Sequence, residues 1–386
     1  MKIVGRHYLT AQAVEIEIVG QRIAGLAPSA STDRDLPWIA PGWVDLQING
    51  YGGQEFTAPD LTSENAIAIG ESLTRFGVTR FCPTLTTASR GDLLAGLTTL
   101  RRACRQSPEF AALVAGIHLE GPYISAEDGP RGAHPRVHCR PPDAEEFDLL
   151  ADAAEGQIRL VTLSPEFDGA PQFIARLVAR GVRVAIGHTA ATAAQIAAAV
   201  DAGATLSTHL GNGAHAVLRR HPNYLWDQLA EDRLTASLIV DGHHLPPAVV
   251  KTFVRAKTTD RIVLVSDLSG FAGLPAGRYE TALCPLEILG DGRLVVAGQR
   301  QMLAGAGEPI GTGVVGVMRY AGVDRATALA MASIQPARVL GIDAVTLAVG
   351  DRADLVAFDL PLDAAGLPTA LRVRQTIVAG RVALAG

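Results

Sequence analysis

Four short polar motifs each close an apolar run: His118-Leu119-Glu120-Gly121-Pro122, Gly187-His188-Thr189, Ser207-Thr208-His209-Leu210 and Ser266-Asp267. One carboxylate and two imidazoles form the oxygen and nitrogen donor set that suits a catalytic zinc or a similar divalent ion, and three protein ligands leave a coordination position open. An ion held there lowers the pKa of water to about 7, so hydroxide becomes available at neutral pH. Asp267 is then the group to take the proton and return it to a leaving amine. Each residue alone has a plainer reading, because a strand-end histidine is most often a hydrogen-bonded loop residue and a lone carboxylate often caps a helix. For Asp267 the cap reading is weakened by Leu268-Ser269-Gly270, which is not helix-like. The joint reading needs a fold in which all four motifs meet.

Between Pro41 and about Ser266, short β-rich apolar runs alternate with helix-like stretches, the pattern of repeated βα units. Eight such runs can be marked: Trp43–Ile48, Val78–Cys82, Leu113–Leu119, Ile158–Leu163, Val182–Ile186, Thr205–Thr208, Ala236–Val240 and Ile262–Val265. Eight runs suggest a closed α/β barrel of the (β/α)8 type, whose active site lies at the C-terminal strand ends where these motifs stand. Thr192 to Ala202 reads as a helix with a capping-box spacing at Thr192 and Gln195 and a stop at Gly203, and Pro171 to Arg180 as another, stopped by Gly181. The two ends differ, with strand-like pieces such as Val14–Val19, Asp354–Phe358 and Val373–Val378 between Gly, Pro and Asp turns. Neither end has enough apolar surface to fold alone. The expectation is a small β-sandwich of residues 1–40 plus 344–386 and a barrel of residues 41–343.

Composition narrows the partner. The chain has 386 residues, a formal net charge of −5 and 48% hydrophobic residues. Without a run of Lys or Arg it carries no electrostatic footprint for nucleic acid or an anionic membrane, so a small molecule is the expected partner. The N-terminus, Met1-Lys2-Ile3-Val4-Gly5-Arg6-His7, lacks a signal peptide's apolar stretch, and the expected location is the cytoplasm. Cys82, Cys104, Cys139 and Cys284 show no CxxC spacing and read as free, structural thiols.

Taken in order, the motifs resemble the N-acetylglucosamine-6-phosphate deacetylases of the amidohydrolase superfamily. The likeness runs from Pro41-Gly42-Trp43-Val44-Asp45 and Gly50-Tyr51-Gly52-Gly53 through the four motifs above and Asp241-Gly242. It continues through Leu303-Ala304-Gly305 and Gln335-Pro336-Ala337-Arg338 to Gly350-Asp351-Arg352-Ala353-Asp354-Leu355. The resemblance implies the barrel-plus-sandwich fold, metal ligands Glu120, His188 and His209, and Asp267 as the proton-handling residue. It implies His134 near the acetamido group, Asn212, Gly213 and His244 on the sugar phosphate, and Arg220 on the phosphate, reaching across a homodimer interface to which Tyr224, Leu225 and Trp226 could add apolar contacts.

Many superfamily members have a His-x-His pair after the first strand, where this chain has Gln47-Ile48-Asn49, a vestigial second-metal position. Amides are poor ligands for a divalent transition metal, and no lysine closes the fourth run, so one ion is expected: Zn2+, with Fe2+ or Mn2+ as alternatives. The implied reaction is hydrolysis of N-acetyl-D-glucosamine 6-phosphate to D-glucosamine 6-phosphate and acetate. Asn212-Gly213-Ala214 and Asp267-Leu268-Ser269-Gly270 depart from the family's Asn-Ala-Met and Asp-Ala-Thr-Ala. Those departures leave open N-acetylgalactosamine 6-phosphate or an unphosphorylated amino sugar. Fold alone does not give function, and a catalytically silent barrel scaffold is the reading of another class.

Overall fold

The computed structural model describes residues 1–33, 35–281 and 284–385. Gly386, the last residue of the expected sandwich, lies outside them. Eight parallel strands follow one another around a barrel: β1 (Trp43–Ile48), β2 (Val78–Thr86), β3 (Ile117–Glu120), β4 (Ile158–Leu163), β5 (Arg183–Ile186), β6 (Leu206–Ser207), β7 (Thr235–Leu238) and β8 (Ile262–Leu264). β1 and β8 close it: the Asp267 amide donates to the Gln47 carbonyl at 3.0 Å and the Asn49 amide to the Leu268 carbonyl at 2.9 Å. The closing hydrogen bonds therefore involve the residues the sequence marks for chemistry.

Side chains alternate across each strand. Val44, Leu46, Cys82, Leu160, Leu206 and Val263 pack together inside the barrel, while their neighbours Trp43, Val161 and Leu264 join the larger core under the helices. The helix Ala193–Asp201 carries the capping box between Thr192 and Gln195, and the helix Ala170–Ala179 opens with Pro. The third strand departs most from its expected apolar run. Leu113 ends a helix, Pro108–Leu113, started by the Ser107 side chain and the proline after it, so β3 begins only at Ile117.

Both chain ends enter one seven-stranded sheet. Trp38–Pro41 pairs antiparallel with Leu355–Asp359, placing Val356 opposite Ala40, and Lys2–His7, Ala13–Val19 and Arg22–Pro28 extend the sheet on one side. Arg372–Val378 and Arg381–Ala385 extend it on the other. After β8 the chain makes an antiparallel meander: β9 (Gly277–Tyr279), β10 (Leu286–Ile288), β11 (Leu294–Val296) and β12 (Gln299–Leu303). Phe271, Leu286, Ile288, Leu294, Val296 and Ala304 give it its own apolar cluster. Among the described residues no helix is long and apolar enough to cross a membrane.

Candidate active site

Register brings three of the four motifs level: Thr86 on β2 and Thr162 on β4 both stand opposite Glu120 on β3, Leu163 on β4 stands opposite Ile186 on β5, and Ile186 stands opposite Ser207 on β6. Alternation explains Glu120, because His118 two residues earlier already points inward to bond Thr162. It does not explain His188. Ala185 faces the barrel interior while Val184 and Ile186 face outward, so strict alternation would send residue 188 outward as well. Left-handed backbone at His188, φ 50°, re-aims the side chain, and His209 (φ 27°) and Asp267 (φ 53°) share that uncommon conformation. Such backbone costs on the order of 1–3 kcal/mol per residue and persists where the surrounding structure dictates it.

The three ligands expected from the sequence form a small triangle. His188 Nε2 lies 3.2 Å from Glu120 Oε1 and 3.1 Å from His209 Nε2, and His209 Nε2 lies 3.0 Å from the same carboxylate oxygen. His188 Nδ1 stands 2.9 Å from the Pro130 carbonyl, which only accepts, so that nitrogen carries the proton and Nε2 offers a lone pair. Burial would raise the Glu120 pKa, but the two imidazoles, where their Nε2 atoms carry protons, outweigh it and hold the carboxylate ionised, and a cation would take the place of those protons. A lone pair and an anionic oxygen thus point at one spot, an arrangement that a divalent cation held between them would stabilise. The donors fit a divalent ion. His134 is close enough to join them, its ring nitrogen grouping with Glu120 and His188 within 4.8 Å.

The amides at the end of β1 meet carboxylates. Gln47 Nε2 donates to Glu120 Oε1 at 2.7 Å and Asn49 Nδ2 donates to Asp267 Oδ1 at 2.8 Å. Asn49 fixes one oxygen of Asp267, and among the described residues no hydrogen bond engages the other. Burial, reinforced by the Glu120 charge, pushes Asp267 up to about 6. Beneath it, buried Asp45 accepts from the Ser266 amide at 3.2 Å and ties β1 to the segment carrying Asp267. His118, pushed down to about 4 mainly by burial, is neutral and spans the Leu46 carbonyl and Thr162.

The amidohydrolase family profile matches residues 38–383. The chain is 34% identical over 360 residues to the N-acetylgalactosamine-6-phosphate deacetylase of Escherichia coli O157:H7, covering 92% of this chain and 90% of that protein. It is 34% identical over 355 residues to the N-acetylglucosamine-6-phosphate deacetylase of Homo sapiens, with 89% and 83% covered. It also matches the fold of a mutant N-acetyl-D-glucosamine-6-phosphate deacetylase from Mycobacterium smegmatis in complex with N-acetyl-D-glucosamine-6-phosphate, at TM-score 0.85 and 32% identity over 99% of both chains. The chain belongs to the amidohydrolase superfamily and, within it, to the N-acetylglucosamine-6-phosphate deacetylase family. It is a metal-dependent hydrolase.

In this amidohydrolase the Glu120–His188–His209 triangle and Asp267 open into a cavity of about 620 Å³ whose walls include His134, Asn212, Gly213 and His244. His134 is neutral, pushed down to about 3 by burial and by His188 beside it, and its Nδ1 is 2.8 Å from Thr87 Oγ1. Asn212 is anchored by its amide on the His209 carbonyl at 2.9 Å. Gly213 has φ 55°, and a Cβ there would stand 2.7 Å from His188 Nδ1, which gives a physical reason for glycine where the family has alanine. His244 Nδ1 is 2.7 Å from Asp241 Oδ2, and its Nε2 has no hydrogen-bond partner among the described residues; burial opposes ionisation of Asp241, but His244 outweighs it and holds the carboxyl at about 2.

The structure does not bring Arg220 to this cavity. Arg220 is exposed on the loop before Asn223 and lies outside the cavity walls within its own chain. Tyr224 is no surface contact either, since it is buried and bonded to His215, while Trp226 is 51% exposed. The walls instead include Arg293 and Arg300 of the meander, which the sequence reading passed over. The Gly290-Asp291-Gly292 turn was the available signal for that hairpin.

Proposed function

We propose that this amidohydrolase removes the acetyl group of N-acetyl-D-glucosamine 6-phosphate, giving D-glucosamine 6-phosphate and acetate. One observation carries the reading: Asp267, with one oxygen fixed by Asn49, shares a cavity with the Glu120–His188–His209 triangle and with the Asp241-supported His244. Glu120, His188 and His209 hold a single divalent ion, Zn2+ in our assignment with Fe2+ or Mn2+ as the alternatives, and Gln47 and Asn49 serve as hydrogen-bond donors where a second ion's ligands would stand. When bound, the ion supplies Lewis acidity and acidifies water. Asp267 accepts the proton of the attacking water and delivers it to the leaving nitrogen. His134, anchored on Thr87, contacts the acetamido group, and Asn212, Gly213 and His244 orient the sugar phosphate.

Arg220 then serves the neighbouring subunit's phosphate in a homodimer, a role supported by its exposure and by Val217 and Trp226, 89% and 51% exposed nearby. We place the enzyme in the cytoplasm. The galactosamine isomer is the second reading, favoured by the 34% identical E. coli relative that bears that name. Acetate release from N-acetylglucosamine and N-acetylgalactosamine, each with and without a 6-phosphate, tests both. The expected result is highest kcat/KM on N-acetylglucosamine 6-phosphate. A higher value on the galactosamine isomer selects the second reading, and equal values with and without phosphate reject both.

A further inference from the structure

Two guanidinium groups of the meander line the cavity, and the pairing of one leaves its fork open. Arg293 follows the turn between β10 and β11 and uses Nε to bond Asp291 Oδ2 at 2.8 Å. Among the described residues neither of its Nη atoms has a partner, so the outer edge of the fork is available for two parallel bonds to an oxyanion. The turn sits at the His243–His244 end of the cavity: all three residues line it, and the Asp291 carboxyl, held down first by its bonds to Arg293, also feels the charge of His243. The carboxylates of the reacting end, Glu120 and Asp267, are each held by an amide donor. Arg300, by contrast, is engaged by Glu287 at 3.2 Å and is 73% exposed.

We propose that Arg293 binds the phosphate of the substrate and determines specificity for it, from the same subunit that carries the metal triangle. The inference rests on the phosphorylated-sugar reading. It makes the meander a specificity element: its apolar cluster of Leu286, Ile288, Leu294 and Val296 fixes the turn, and the turn presents the cation.

The test is Arg293→Ala, Arg293→Lys, Arg300→Ala and Arg220→Ala, each assayed on N-acetylglucosamine with and without 6-phosphate and with inorganic phosphate as competitor. A charge-assisted fork contact predicts that Arg293→Ala raises KM for the phosphorylated sugar and Ki for phosphate by about 10- to 100-fold. The kcat on that sugar and kcat/KM on the unphosphorylated one should change less than about threefold, and Arg293→Lys should fall between, because lysine keeps the charge and loses the fork. Equal losses on both sugars, no loss, or a phosphate-selective loss in Arg300→Ala without one in Arg293→Ala would overturn the proposal. Should the wild-type enzyme itself treat the two sugars alike, the phosphorylated-sugar reading falls first and Arg293 with it.

Discussion

At the scale of single residues, His188, His209 and Asp267 each occupy left-handed backbone that is uncommon for a residue with a side chain, and each lines the same cavity. The strain indicates that the positions of these side chains are set by the closed barrel and not by local preference. Asp267 shows the consequence for chemistry. Acting as the base, it must be ionised, and burial with the nearby Glu120 charge pushes it up to about 6. Acid catalysis of the second step uses the proton it has just received, so kcat/KM should fall tenfold per unit as pH drops below that limb. A cation in the triangle favours the charged carboxylate and places the limb at or below about pH 6. Asp267→Asn should keep its metal and lose roughly 10²- to 10⁴-fold in kcat. Near-normal turnover in that variant, or an unchanged acid limb, would move the proton transfer to another group, His134 first.

At the scale of elements, the seam between β1 and β8 is where fold and site are one construction. Gly50, just past β1, packs so closely that a Cβ would meet the Gln54 carbonyl oxygen at 1.9 Å and Gly270 Cα at 2.8 Å. Gly50→Ala should therefore destabilise the protein by about 1–3 kcal/mol or more in urea titration, whereas Gly290→Ala, with open space around it, should stay within about 0.5 kcal/mol. A loss in Gly50→Ala as small as that expected of Gly290→Ala would mean that the seam tolerates separation. The sequence made this seam partly legible, because Glu120, His188, His209 and Asp267 each follow an apolar run long enough to be a strand. It could not show that His188 points inward, since alternation argues the opposite and the left-handed turn arises only in the folded barrel. Leu113 misled for a local reason: Ser107 and Pro108 start a helix whose apolar residues continue into the strand run. The meander was missed because its strands are three to five residues long, and β12 is mostly exposed on both faces, so neither period stands out.

At the scale of the whole molecule, an ion held by Glu120, His188 and His209 would join β3 to the ends of β5 and β6, so its binding would be linked to folding. Metal analysis should find one equivalent. Chelation should abolish activity and lower the melting temperature, because a ligand at about 1,000 times its Kd stabilises by about 4.1 kcal/mol; two equivalents, both needed for turnover, would refute the single site. Assembly poses a different question, since Arg220 lies outside its own chain's cavity while Arg293 lines it. A closed twofold dimer gives each site one residue set from each subunit, so complementation can separate the two arginines. Asp267→Asn subunits lack the base but keep Arg220; Arg220→Ala subunits keep the base and lack the arginine. If Arg220 crosses the interface, mixing the two variants restores one complete site in every mixed dimer. Random equal mixing then returns about a quarter of wild-type activity on the phosphorylated sugar, well above either parent at low substrate. If Arg220 serves its own subunit, or none, no mixed dimer contains a repaired site and activity stays at the average of the parents. The same mixture of Asp267→Asn with Arg293→Ala should show no recovery, because both residues belong to one subunit's site.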